Sequence, residues 1–577
     1  MTPRAVLAGA AALLLAAALA CDRAPPEGAA FEGDAHPALV AHTGEFERRV
    51  YEVTDGVHVA VGYALANAVL VEGDECAFVV DVLGSTEPAR EVRAEFAKLT
   101  PKPIRALVYT HNHADHVFGG RGFVPEGAVD VYAHETTELY IDRIVSVIRP
   151  IISKRSARMF GSVLPAEGPD RFVNDGIGPF LEIGHGGGSL GLIRPTHTFR
   201  DRLETTICGV RVELVHAPGE TNDQLFVWLP EKRALLPGDN VYRAFPNLYT
   251  IRGTLYRDLM DWVRSIDAMR DRRPEHLVPS HTRPVSGAER IEEILTAYRD
   301  AIQYVHDQTI RGMNQGLTPD ELVARVRLPP HLRDHPFLQE FYGTVEWSVR
   351  SVFTGYLGWF DGDAATLSPA APEERARGYA ELAGGLDGLL DAAEAALEKE
   401  RFAWAAELAS HGFRADPGSD RAARLKAAAL RAMGQRSISP NGRNFYLTQA
   451  REIEGTAEVA ESGVDDSVLE VVRSIPIRNF VSAMAIALDP EKSADLDLVV
   501  GFRFPDVGEA YTLHVRRSVA EFRPRFPEAP GLAFETASNV WRDVALGRRN
   551  LLAAVASGHL EIQGSKLEAA RFLNLFR

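Results

Sequence analysis

Between residues 45 and 288 the apolar positions fall in short runs bounded by turn-forming and polar residues, as in Ala66-Asn-Ala-Val-Leu-Val-Glu-Gly-Asp, Ala77-Phe-Val-Val-Asp-Val and Ala106-Leu-Val-Tyr-Thr. Short runs rich in β-branched residues are read as strands, so this stretch predicts an α/β region with two sheets. From 289 to 436 the spacing becomes helical. Asp391 to Gly434 reads as three amphipathic helices broken at Asp416-Pro-Gly and Gly434, a helical hairpin array of tetratricopeptide style. The polar break Ser437-Ile-Ser-Pro-Asn-Gly opens a connecting segment over 437–455. Beyond it, from 456 to 577, strand-like runs such as Leu496-Asp-Leu-Val-Val-Gly-Phe-Arg-Phe and Ala510-Tyr-Thr-Leu-His-Val precede helices near the end, which predicts a small α+β domain.

The amino terminus follows another pattern. Arg4 precedes an Ala/Leu-rich stretch over 5–20 that is too short to span a bilayer comfortably. Residues 1–21 are therefore expected to be an export signal. Ala18-Leu-Ala-Cys21 resembles a bacterial lipobox, with Ala18 where Leu is usual, which predicts an exported protein of the periplasm or envelope, lipid-anchored at Cys21. Residues 22–44 are rich in Pro, Gly and Ala without periodicity and read as a tether.

At 577 residues, with 46% apolar and 25% charged, the chain suits three or four domains. Its 63 Lys and Arg against 79 Asp and Glu give a net charge of −16. That balance, without a basic block, excludes a nucleic-acid binder that works by phosphate neutralisation. An anionic small-molecule substrate must then be met by a local cation. Cys21, Cys76 and Cys208 are too few for a disulfide scaffold; Cys76 and Cys208 lie in strand-like runs and read as small buried apolar residues.

The chemistry concentrates in Thr110-His-Asn-His-Ala-Asp-His-Val-Phe-Gly-Gly, directly after the strand-like Arg105-Ala-Leu-Val-Tyr. A loop leaving a strand can turn His111 and His113 toward one cation while Asp115 and His116 face a second. Further candidate donors, each weak by itself because a lone acid or His at a strand end is usually a cap or turn residue, stand at other strand ends: Glu220 in Ala217-Pro-Gly-Glu-Thr, Asp239 in Leu235-Leu-Pro-Gly-Asp-Asn, and His281 in Leu277-Val-Pro-Ser-His. Gly184-His-Gly-Gly-Gly-Ser-Leu-Gly lacks the Lys-Ser/Thr ending of a phosphate loop and reads as a flexible loop. Asp81, ending Phe78-Val-Val-Asp, reads as a turn residue.

These segments, in this order over about 240 residues, resemble the metallo-β-lactamase superfamily and within it the alkylsulfatase group. Glu220 stands where most members have His after Pro-Gly, and Phe245-Pro-Asn-Leu-Tyr-Thr-Ile-Arg-Gly follows the bridging carboxylate. His306-Asp-Gln-Thr, Phe341-Tyr-Gly, Tyr356-Leu-Gly-Trp-Phe-Asp-Gly, Phe402-Ala-Trp and Asn444-Phe-Tyr-Leu resemble that group's helical dimerisation domain. The last domain resembles a sterol-carrier-protein fold. The resemblance implies an αββα sandwich over 45–288, an all-α dimerisation domain over 289–436 and the carrier-like domain over 456–577. Two zinc ions per chain are implied, one on His111, His113 and Glu220, the other on Asp115, His116 and His281, bridged by Asp239. Manganese or iron would also accept this set.

The implied reaction is hydrolysis of alkyl sulfate esters by metal-activated water, in a homodimer. Asn247 and Arg252 match the family's sulfate-holding positions, a guanidinium being suited to forked contact with an oxyanion. Tyr356 is a third substrate-binding candidate. Two departures bear on this. Relatives of the primary-alkylsulfatase type are expected to carry Glu where Asp239 stands. Thr344 occupies a position where some relatives have a His able to protonate the leaving alkoxide; that leaves His306 or His335 as the acid, or cleavage of the C–O rather than the S–O bond. Aromatic and aliphatic residues of the last domain either line a lipid-sized cavity or pack a core. Two further readings stay open: hydrolysis of an aryl sulfate, phosphonate or lactone on the same site, and a lipid carrier with a non-catalytic metal domain.

Overall fold

The computed structural model describes residues 34–181, 188–460 and 466–576. A seven-stranded sheet runs in chain order through β1 (Arg49–Thr54), β2 (Val57–Val61), β3 (Ala68–Glu72), β4 (Ala77–Val80), β5 (Ile104–Val108), β6 (Asp130–His134) and β7 (His197–Phe199). The first four strands are antiparallel, and β4 to β7 are parallel. A six-stranded sheet follows: β8 (Arg202–Ile207), β9 (Val210–His216), β10 (Leu225–Leu229), β11 (Ala234–Leu236), β12 (His276–Leu277) and β13 (Val285–Ser286).

The period-2 alternation of strand side chains sorts the core into layers. Val57, Val59, Val61, Phe78 and Val80 meet Val212, Leu214, Val227 and Leu236 between the sheets. Leu70, Val79 and Leu107 point outward onto Ala89, Val92 and Phe96 of the helix Thr86–Leu99. On the far side, Phe226, Trp228 and Leu235 are covered by Trp262 and Ile266 of the helix Leu259–Arg270 and by Leu295 and Tyr298 of the helix Ala288–Met313. Because strands buried on both faces carry apolar residues at nearly every position, their runs read as unbroken in the sequence. The result is a helix–sheet–sheet–helix sandwich with helices beyond it. The small last domain is a sheet ordered β16 (Val519–Arg523), β15 (Glu509–Arg516), β14 (Asp497–Phe504), β17 (Leu532–Thr536) and β18 (Leu560–Gln563). Its apolar residues pack a core, with the Phe502 ring 4.9 Å from Trp541 and 5.5 Å from Phe534.

Four expectations change. The tether over 22–44 does not reach residue 44: Pro37–His42 and Thr43–Phe46 are helical turns, Leu39 is fully buried beside Leu65, Met159 and Phe341, and His42 Nε2 lies 2.8 Å from the Gly176 carbonyl oxygen. Residues 1–33, with the signal, Cys21 and most of the tether, lie outside the described residues. The connecting segment over 437–455 is largely a helix, Pro440–Ile453, packed along the helix Asp420–Arg436. Pro440 opens that helix, where a proline costs nothing. Its buried face includes Asn441, Arg443 and Asn444, which hides the apolar period.

The third change concerns Cys76 and Cys208, which are joined in a disulfide rather than separately buried as thiols. Both sit at turns, Cys76 before β4 and Cys208 between β8 and β9, and these turns meet where the two sheets abut. Asp74 N–H donates to the Cys208 carbonyl at 2.8 Å. A Cβ on Gly73 would stand 1.8 Å from that carbonyl oxygen, so only glycine permits the approach. In the Gly-rich loop, residues 184–187 lie outside the described residues, but Ser189 and Gly191 are hydrogen-bonded to Glu87 and Phe118 and are not a free loop.

Candidate metal centre and its cavity

The donors sit where strands end at one edge of the sandwich. After β5 the chain turns through Thr110 into His111 to His113, and the short helix Ala114–Val117 carries Asp115 and His116. Asp81, at the end of β4 with φ 56°, fixes this loop. Its carboxylate accepts from Thr110 N–H (2.9 Å), Thr110 Oγ1 (2.9 Å) and Ser280 Oγ (2.6 Å), and lies 2.8 Å from His116 Nδ1. That contact aims His116 Nε2 into the centre, as outer carboxylates do for ligating histidines. Asp81 is thus the turn residue expected and also the group that orients His116.

Two clusters converge. The ligand atoms of His111, His113, Glu220 and Asp239 lie within 4.8 Å of one another, as do those of Asp115, His116 and His281. Asp239 stands between them: its Oδ2 is 3.1 Å from His281 Nε2, 3.4 Å from His116 Nε2 and 3.7 Å from His111 Nε2. His281 Nδ1 is held by the Leu65 carbonyl at 2.9 Å. Six of the seven are buried residues, and His113 is half-buried.

The chemistry of this donor set fits divalent cations. His116 Nε2, Glu220 Oε2 and Asp239 Oδ1 are buried without a hydrogen-bond partner, which natural interiors rarely tolerate. His111 Nε2 and His113 Nδ1 face each other at 2.9 Å. Burial, then the neighbouring imidazoles, pushes His111 well below the ordinary histidine range, and burial with Arg252 does the same to His113; both are neutral donors. Burial opposes ionisation of Asp239, but His116, His281 and His111 hold its carboxyl well below the usual range. Burial pushes Glu220 well up despite Arg257, whose Nη1 donates to Glu220 Oε1 at 2.8 Å.

A cavity of about 200 Å³ opens beside the first cluster. Asn112, His113, Glu220 and Arg252 form its polar end, and Tyr140, Ile144, Ile148, Ile152, Leu255 and Tyr256 form its apolar wall. Arg252 Nη2 lies 3.0 Å from His113 Nε2, with its backbone carbonyl held by Arg155 Nε at 2.8 Å. Asn247 is buried behind this surface: its N–H donates to Tyr242 Oη at 2.9 Å, its carbonyl accepts from Arg257, and its side-chain oxygen has no partner.

The structure does not bring Tyr356 to the cavity wall. It stands in the last turn of the helix Val345–Leu357, half exposed, with its hydroxyl 2.8 Å from His306 Nε2. His306 is thereby occupied by Tyr356 and Asp307, and His335 faces Glu293 at 3.9 Å; neither lines the cavity. Thr344 caps the helix Val345–Leu357 by accepting from Trp347 N–H. Arg257 and the isoleucine wall were not singled out from the sequence. Arg257 follows Arg252 by five residues in one loop, and that repeated basic residue was its only signal.

Residues 61–281 match the family model described as metallo-beta-lactamase superfamily, 318–456 that for alkyl sulfatase dimerisation, and 466–577 that for the alkyl sulfatase C-terminal domain. The chain is 41% identical to a linear primary-alkylsulfatase of a Pseudomonas species over 530 residues, covering 88% of this chain and 98% of that protein. It is 27% identical to the alkyl/aryl-sulfatase BDS1 of Saccharomyces cerevisiae, covering 91% and 82%. Among solved structures, the stereoselective inverting sec-alkylsulfatase Pisa1 of a Pseudomonas species superposes with a TM-score of 0.86 at 26% identity, covering 94% of this chain and 87% of that one.

Proposed function

The chain belongs to the alkylsulfatase family of the metallo-β-lactamase superfamily, and from that premise we propose that it hydrolyses alkyl sulfate esters to an alcohol and inorganic sulfate. The observation that carries this reading is the cavity: a guanidinium and a cluster of metal donors at one end, an apolar wall running away from them. An amphiphilic sulfate ester has the same two halves.

His111, His113 and Glu220 would hold one divalent cation and Asp115, His116 and His281 the other, with Asp239 between them; zinc suits the mixed imidazole and carboxylate set. When bound, such cations supply Lewis acidity and lower the pKa of water from about 15.7 toward 7. The remaining work falls to the protein. Arg252, beside His113, takes the sulfate oxygens in a forked contact and neutralises the ester's charge. Asn247 is proposed as the second sulfate-holding group on the family resemblance alone, since it is buried behind the same surface and does not line the cavity. Arg257 orients Glu220 through its hydrogen bond to Oε1 and opposes, without overcoming, the effect of burial on that carboxyl. Tyr140, Ile144 and Ile148 take up the hydrocarbon and exclude water from it.

The helical region matching the dimerisation model supports a homodimer. An exported protein tethered to the envelope through Cys21 is part of the same proposal, and the Cys76–Cys208 disulfide supports an oxidising compartment. Steady-state sulfate release from dodecyl sulfate by wild type and Arg252→Ala tests the reading: release by the first and near-loss in the second supports it, and no release from any alkyl sulfate overturns it.

A further inference from the structure

The apolar wall and the metal loop belong to different elements. The wall begins at the helix Thr137–Arg143, passes through a turn of π-helix at Ile144–Ile148 and continues into the helix Arg149–Met159. π-Turns inside helices frequently mark functional sites. One buried side chain joins this wall to the chemistry. Asp223 is fully buried and has no Arg or Lys partner among the described residues. Its Oδ1 accepts from Asn112 Nδ2 at 2.5 Å, and its Oδ2 accepts from Thr137 Oγ1 at 2.8 Å. Asn112 lies between the ligands His111 and His113 and lines the cavity; Thr137 opens the wall helix whose Tyr140 lines it one turn later. Thr137 is itself fully buried. A carboxylate placed in low dielectric without a cation is costly, yet here it touches neither the cavity nor the metal donors.

We propose that Asp223 is a positioning residue that sets the distance between the alkyl-chain wall and the metal loop, and thereby sets the protein's preference among alkyl chain lengths. The inference rests on the sulfatase reading for its substrate. The wall is fixed from the outside as well, by Asp142, which pairs with Arg194 at 2.8 Å and accepts from Asn479 of the last domain at 3.2 Å. These two carboxylates thus anchor the segment at Thr137 and at Asp142, just before the π-turn that carries Ile144 and Ile148. Losing the Thr137 contact frees the wall's inner end while leaving the Asn112 contact, the metal donors and Arg252 in place.

The test is kcat/KM for hexyl and dodecyl sulfate, both below their micellar concentrations, on the metal-loaded protein and its Thr137→Val, Thr137→Ser and Asp223→Asn variants. Dissociation constants for hexane- and dodecane-sulfonate, which have no ester bond to cleave, are measured alongside. A buried methylene contributes about fourfold in affinity, so the wild type should prefer the longer chain by at least about tenfold in both readouts. Thr137→Val should bring that ratio to within about threefold with metal content unchanged, and Thr137→Ser should restore it. Asp223→Asn should flatten it likewise. An unchanged ratio in Thr137→Val, or a fall shared equally by both chain lengths, overturns the proposal. No sulfate release with a sulfonate ratio that Thr137→Val still flattens discards the sulfatase reading and keeps Asp223 in its role; no chain-length preference in either wild-type readout discards the wall itself.

Discussion

In the proposed reading, recognition of the ester depends on Arg252, the cation of the cavity's polar end that stands beside His113 with its guanidinium free of carboxylate partners among the described residues. Removing one well-placed oxyanion donor typically costs about 10²–10³ in rate. Arg252→Ala should therefore lose about that factor in kcat/KM for alkyl sulfates while retaining its metal, measured by sulfate release and elemental analysis together. Arg257 behaves differently. Its side chain is 2% exposed and paired with an equally buried Glu220, and removing one partner of such a pair costs about 3–5 kcal/mol. Arg257→Met should show that loss in denaturant unfolding and lower metal content besides. The His111–His116 cluster was legible from its spacing alone, whereas Glu220, Asp239, His281 and Arg252, each an ordinary residue at a strand end or in a loop, were assigned to the site through the family resemblance. Arg257 was not legible, because a buried arginine partner to a ligand looks in sequence like any surface arginine.

Elements follow the same division. Strands buried on both faces announced themselves as apolar runs, and the amphipathic helices by their period. What escaped were elements stabilised by polar burial. The helix Pro440–Ile453 buries Asn441 and Asn444 through hydrogen bonds to Tyr342 and Asp175, and no hydrophobic period reports such contacts. The 34–46 segment is held by Leu39 and by His42, which is stacked 3.9 Å from Phe341. Burial pushes His42 down to about 4. The folded protein therefore keeps it neutral while the unfolded chain takes up a proton below about 6.5. Stability from this site is present above 6.5 and lost as the pH falls toward 4, on the order of 3 kcal/mol. His42→Gln should be less stable at neutral pH yet show a flatter decline in Tm between pH 6.5 and 4; an unchanged slope would contradict the assignment. The disulfide makes a comparable prediction. It closes a loop across 132 residues, a constraint worth about 4–5 kcal/mol in the chain-entropy account, so Cys208→Ser should lower the unfolding free energy by several kcal/mol without removing metal. Two cysteines in apolar runs gave no sign of pairing, because the turns that bring them together belong to different sheets.

At the scale of the molecule, the order of sandwich, helical array and small α+β domain was legible from the change in period along the chain, and the family from the His-x-His-x-Asp-His loop with its downstream acids. The cavity was not, because its wall is assembled from residues 140–152 and 252–257, segments far apart in sequence with no motif of their own. The last domain also braces that wall: Asn479 reaches Asp142, and the turn Ile144–Ile148 packs against the helix Ile477–Ala483. The account stands on a metal centre and an amphiphile site meeting at Arg252. The measurement that reaches it most directly is metal content per chain together with sulfate release from dodecyl sulfate, before and after chelation. The account predicts two divalent ions, release of one sulfate per ester cleaved, and loss of activity on chelation that is restored by metal. A purified, folded protein that binds no metal, or one whose sulfate release survives chelation, would contradict it.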